Sequence, residues 1–266
     1  MREHVAKVSI AILFVEFLVA ALAPVISPYD PSQMHWGMEY VPPGSRFALG
    51  TDSLGRDILS RIIWGTRTSL IVGFGSAFIM GLIGVSLGVT SGFLGGIADQ
   101  LIMRIADGLL TLPSLLLLIA ISAVFQIKSI YVIMMAIALV GWSGLARIAR
   151  SRVLSVKEEL FVEAARGLGI GKWRIAFRHI LPSSVAPIIV QLTMSVPGAI
   201  LAEASLSFLG LGDPTAISWG LMVSTGRSVL ATAWWVSTFS GLAIAITTVA
   251  FNFLGDALRD ALDVRL

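Results

Sequence analysis

No cysteine occurs in the 266 residues, which excludes a disulfide framework and a thiolate metal site. Charge is scarce too. Charged residues make up 13% of the chain, against about 25% in ordinary soluble domains, so an independently soluble domain is not expected. Three histidines, His4, His35 and His179, are scattered, and no metal site follows from them. The sequence has no GxxxxGK[ST] phosphate loop, no HExxH and no GxSxG elbow, so it carries no recognisable engine for hydrolysis. Acids within its apolar runs are too few and too scattered for a proton relay. There is no obvious inverted repeat of the kind many secondary transporters show. The net charge of +3 does not point to nucleic acid, because the basic residues sit mostly at the ends of apolar runs.

What is abundant is apolar length. Hydrophobic residues are 56% of the chain, and the mean hydropathy is +0.88. A membrane-crossing helix needs about 20 mostly apolar residues. Six runs qualify, near 8–27, 70–94, 108–127, 130–149, 185–210 and 235–255. The first lacks a small-x-small cleavage site and meets Pro24 and Pro28, so it reads as a retained span. Glu16 within it reads as a carboxylate packed against a neighbouring helix. With the N-terminus inside, thirteen Lys and Arg fall on the cytoplasmic side and six outside, which predicts that both termini are cytoplasmic.

Residues 28–67 then form an outer connection rich in turns. Arg56 to Trp64 reads as an amphipathic helix in the interface, serving either an external partner or simply the entry into span two. Gly84, Gly88 and Gly92 make a small-residue face for close helix packing, within this subunit or against a second one. Pro113 is expected to kink span three. Span five is interrupted by Pro187 and Pro197 and carries Gln191, Thr193, Ser195 and Glu203, candidates for a pathway wall; Glu203 alternatively lies near the outer interface, unburied. Trp219, Trp234 and Trp235 are expected near the interface.

One polar island, Lys157 to Pro182, interrupts these runs. It predicts a first short helix from Glu158 to Arg166, with Leu160, Phe161 and Ala164 or Ala165 at helical spacing. Gly167, Gly169 and Gly171 break it, and a second helix runs from Lys172 to Ile180, closed by Pro182. Trp173, Ile175, Ala176 and Ile180 make the apolar side of that helix, opposite Arg174 and Arg178. Two short helices joined by a glycine elbow form a rigid knob outside the bilayer. The fold class expected is an all-α integral membrane protein of six transmembrane helices. A cytoplasmic helix-turn-helix loop lies between spans four and five.

The island resembles the EAA loop of permease subunits in bacterial ABC importers. Glu163-Ala164-Ala165, Gly169 and Leu181-Pro182 match the family's spaced pattern, with His179 standing where that pattern has isoleucine. Three further stretches, 49–57, 202–212 and 250–263, are similar to the C-type permease of the dipeptide, oligopeptide and nickel importer group. The resemblance implies an N-terminal span and outer segment over 1–69 and a transporter domain over 70–266, with the coupling loop at 151–184. It implies a second homologous permease, two cytoplasmic ATPase subunits and an external substrate-binding protein as partners. ATP and magnesium would be used by those partners, with no cofactor bound by this chain. The knob would dock on an ATPase through Glu163, Ala164, Ala165, Arg166, Gly167, Gly169, Lys172, Arg174 and Arg178. The substrate expected first is a small peptide, then nickel or a metal–chelator complex, then a short oligosaccharide; a scaffold that recruits a cytoplasmic protein is the reading from another class.

Overall fold

Backbone amides in lipid have no water to bond, so a chain this apolar can cross a membrane only as helices or a closed barrel. Helices form. The computed structural model describes residues 2–125 and 128–263. Gln126, Ile127 and Arg265, which enter the expected third span and the charge count, lie outside them. The elements are α1 (Arg2–Ile26), α2 (Ile58–Leu94), α3 (Gly96–Thr111), α4 (Ser114–Phe125), α5 (Ile130–Lys157), α6 (Leu160–Gly167), α7 (Lys172–Ile175), α8 (Leu181–Phe208), α9 (Trp219–Gly226) and α10 (Trp235–Asp263). A π turn, Ala176–Ile180, joins α7 to α8. Among the described residues five stretches are long and apolar enough to cross a membrane: α1, α2, α5, α10 and the run Lys172–Phe208.

The expected third span takes a sharper form than a kink. Helices α3 and α4 meet at 94°. Leu112 precedes Pro113, and the proline ring forces it out of the helical region to φ −95°, ψ 139°. Elsewhere the prolines do less than expected. Helix α8 runs unbroken through Pro187 and Pro197, since each deletes a single rung of a 28-residue ladder. Pro182 does not close the second short helix. It sits in the first turn of α8, directly after the π turn, and with Ile180 and Leu181 both in helical conformation the chain continues from the knob into the span.

The glycine face of α2 packs inside this subunit. A methyl group at Gly88 would lie 2.3 Å from the carbonyl oxygen of Ala146, and one at Gly84 2.8 Å from that of Trp142, so α5 approaches as closely as backbone allows. Glu16 accepts the Thr247 hydroxyl at 2.7 Å, tying α1 to α10.

The expected interfacial helix is not separate. Asp57 caps α2 by accepting from the Ser60 N–H at 2.8 Å, and the helix runs 37 residues from there. Arg61, expected on a wet face, is 5% exposed. Its guanidinium donates to the Pro31 carbonyl at 3.1 Å and lies 3.6 Å from Asp52, because the outer segment folds back over this end of α2. Trp219 and Trp235 are buried as well; their indole N–H groups donate to the carbonyls of Ile62 and Thr51, which lets these large rings leave the interface. Trp234 stays exposed.

Candidate functional site

The knob is built where α5 ends. Glu159, in extended conformation, precedes α6, and the turn after α6 is a Schellman motif. Leu168 caps the helix, the Ile170 N–H donates back to Ala165 at 3.1 Å, and the Gly169 N–H donates to Arg166 at 3.0 Å. Gly169 takes φ +73°, the left-handed value this motif requires at that position. Gly167 belongs to α6, and Gly171 has φ −60°, so one of the three expected helix breakers does the turning.

Underneath lies a small core of its own. Val153 and Val156 of α5, Val162 and Ala165 of α6, Ile175 and Ile180 are buried together, with Ile170 packed alongside. Taken out of water, each such valine or isoleucine contributes about 1.5–3 kcal/mol relative to exposure. The apolar face predicted for α6 is therefore wrong in part: Val162 and Ala165 point inward, while Leu160, Phe161 and Ala164 are exposed. Period alone did not separate the two rows, since both are apolar at helical spacing. On the second helix Ile175, Ala176 and Ile180 are buried as expected, but Trp173 is exposed.

The outer surface that results is mixed. Leu160 is 80% and Leu168 82% exposed, and Glu163, Ala164, Arg174 and Arg178 are also exposed. Arg166 and Lys172, exposed too, line a cavity of about 580 Å³ with Lys157. The sequence reading missed Leu160 and Leu168 as surface groups; large aliphatics beside the glycine turn were the available signal.

The four polar residues of α8 do not gather. The Thr193 and Ser195 hydroxyls donate to the carbonyls of Ile189 and Gln191, four residues back on the same helix. Glu203 is 1% exposed, which removes the unburied alternative. Its Oε1 accepts from Ser207 at 2.7 Å and from Ser218 at 2.8 Å. Ser218 in turn caps α9 by accepting from the Leu221 N–H at 3.2 Å. A carboxylate of α8 thus holds the start of α9, close against Gly220, where a methyl group would lie 2.8 Å from Oε2.

Known proteins resemble this chain in sequence and in fold. Residues 84–266 match the family model described as binding-protein-dependent transport system inner membrane component, and residues 1–43 match the N-terminal TM domain of oligopeptide transport permease C. The di/tripeptide transport system permease protein DppC of Pseudomonas aeruginosa is 42% identical, the match covering 96% of this chain and 87% of that protein. The glutathione transport system permease protein GsiD of Pectobacterium atrosepticum is 41% identical over 100% of this chain and 89% of its own. Among solved structures, a chain of the MetNI methionine ABC transporter in inward-facing conformations aligns with a TM-score of 0.65 at 18% identity, covering 77% of this chain and 97% of that one. The chain belongs to the family of binding-protein-dependent transport system inner membrane components, as a C-type permease of the ABC importer kind.

Proposed function

We propose that this subunit forms half of a translocation pathway for di- and oligopeptides, working by alternating access. The relatives named for di/tripeptide and glutathione transport favour that substrate class, glutathione being itself a small peptide. Helices α3 and α4 count in this reading as one broken span, giving six, with both termini and the knob in the cytoplasm. The partners are a second homologous permease, two ATPase subunits that use ATP and magnesium, and an external substrate-binding protein. Gln191, Thr193, Ser195 and Glu203 belong to the helix that walls the pathway.

The knob docks in a cleft of an ATPase subunit. Glu163, Ala164, Gly167 and the Gly169 turn lie at the centre of that contact, and Arg174 and Arg178 pair with acids on the partner, setting register. Ala165 supports it from below. The observation that carries this is the exposure of Leu160 and Leu168 beside a helix whose other face, Val162 and Ala165, is buried against α5. Large aliphatics left in water on a rigid cytoplasmic element mark a protein contact.

Glu163 is exposed, so Glu163→Arg is expected to leave membrane insertion intact, to abolish ATP-dependent peptide uptake in sealed vesicles, and to release the ATPase subunits from the purified complex. Normal uptake by that variant overturns the docking assignment. A complex that retains its ATPases yet never moves solute, in wild type as well, points to a scaffold.

A further inference from the structure

Two cavities meet where the knob joins the end of α2. The first, about 280 Å³, lies between two facing stripes: Val85, Val89 and Phe93 of α2, and Trp173, Phe177 and Leu181 of the run into α8. Each stripe has the spacing of a single helix face, every fourth residue. The rings of Phe93 and Trp173 lie 5.5 Å apart, and Trp173 stacks on Phe177 at 6.1 Å. Trp173 and Phe177 are exposed, so the groove opens outward.

The second cavity, about 580 Å³, shares Phe93 and Leu94 with the first. It falls within the range of small-molecule pockets, about 300–1,000 Å³. Lys157, Arg166 and Lys172 surround it, and no acid lines it. Lys157 is fixed in place by donating to the carbonyls of Gly92 and Phe93 at 3.1 and 3.2 Å, which neutralises the end of α2. Among the described residues the Arg166 guanidinium makes a single long contact, 3.5 Å to the Lys157 carbonyl. The Lys172 ammonium has no hydrogen-bond or ion-pair partner among the described residues.

The level of the site follows from α2. Its apolar run ends at Leu94, one residue before the Gly95 cap, so both cavities lie at the end of that run, the apolar groove running back along α2 and Lys157 bonded to its last carbonyls. An exposed indole at the junction is the usual mark of the headgroup zone. An apolar slot leading into a cationic, acid-free mouth is complementary to one class of molecule. We propose that the junction of α2 with the knob binds an anionic phospholipid, its phosphate among Lys157, Arg166 and Lys172 and one acyl chain between the two stripes. Basic pockets at the cytoplasmic ends of membrane helices hold such headgroups in this way. This rests on the reading of the knob as a cytoplasmic element at the membrane surface, and it assigns Arg166 and Lys172 to the lipid rather than to the ATPase.

The test is native mass spectrometry of the intact transporter complex, delipidated and then offered phosphatidylglycerol and phosphatidylcholine together. The wild type is expected to retain phosphatidylglycerol in preference. Lys172→Gln, an exposed position that folding tolerates, should weaken that retention about fivefold, and Arg166→Gln about fivefold again. Val89→Trp fills the groove, keeps every charge, and should lose the lipid as well. Unchanged retention in the charge variants overturns the proposal. So does displacement by inorganic phosphate with Val89→Trp inert, which would mean a site for free phosphate. A third overturning result is loss of ATPase subunits from the charge variants while lipid stays bound, which would mean an acidic protein segment fills the mouth. Lipid retention is read independently of uptake, so a failed docking assignment and a failed lipid site give different patterns.

Discussion

Gly169 shows how much one residue decides in the knob. With φ at +73° and no atom within 4 Å of where a Cβ would stand, the obstacle to substitution there is conformational rather than steric. Gly169→Ala is expected to cost about 1–2 kcal/mol, the penalty of a side chain in the left-handed region, and Gly169→Asn less. Gly167 is the natural control. It lies inside α6 in open space, so Gly167→Ala should stabilise that helix by up to about 1 kcal/mol. Thermal melting of the two variants, followed at Trp173, separates them; equal losses would show that the turn is not what holds α6 against Ile170. The glycine elbow was legible in the sequence, but which glycine turns the chain was not. That depends on where the Val162 and Ala165 row meets α5, a contact local spacing does not contain.

Helices are joined here by small polar ties between distant segments. Asp213 is the clearest outside the spans. One oxygen accepts the Ile130 N–H at 3.0 Å, capping α5 from a loop 83 residues away, and the other accepts the Thr215 hydroxyl and N–H. Burial pushes this carboxyl up, but the hydrogen bonds from Thr215, Ile130 and Ala216 together outweigh it and hold it below the usual carboxylate range. A depressed folded value means the tie is at full strength above the unfolded carboxylate pKa of about 3.9 and weakens as pH falls through the folded value. Asp213→Ala should therefore raise amide exchange across 209–218 at neutral pH, and the gap from wild type should close below about pH 4. A gap that persists in acid would assign the effect to packing instead. Such ties explain the limits of reading elements from sequence. The helices themselves announce their length as apolar runs, yet the burial of Arg61 depends on Pro31 and Asp52, which its own helix does not supply.

At the scale of the molecule, the bundle was readable from hydropathy, and the family from residues 157–182 and three further stretches. The break at Pro113 and the unbroken course of α8 were not, because a proline's effect depends on whether neighbours hold the chain straight. The unbroken course has a mechanical consequence. Lys172 to Phe208 is one rod of 37 residues, about 55 Å long at 1.5 Å per residue. At one end it is the knob; near the other, Glu203 is hooked to the cap of α9. Whatever tilts the first end swings the second, and the five residues of the π turn are a wide coil where strain can be taken up. Spin labels at Arg174 and Thr215, each paired with a label on α5, are expected to report nucleotide-dependent changes that rise and fall together. If only the inner label moves, the π turn is a joint and the rod is two pieces. If both move, the subunit is a lever with its fulcrum on α5, and a push on the knob is felt at the far end of the rod without any relay of side chains in between.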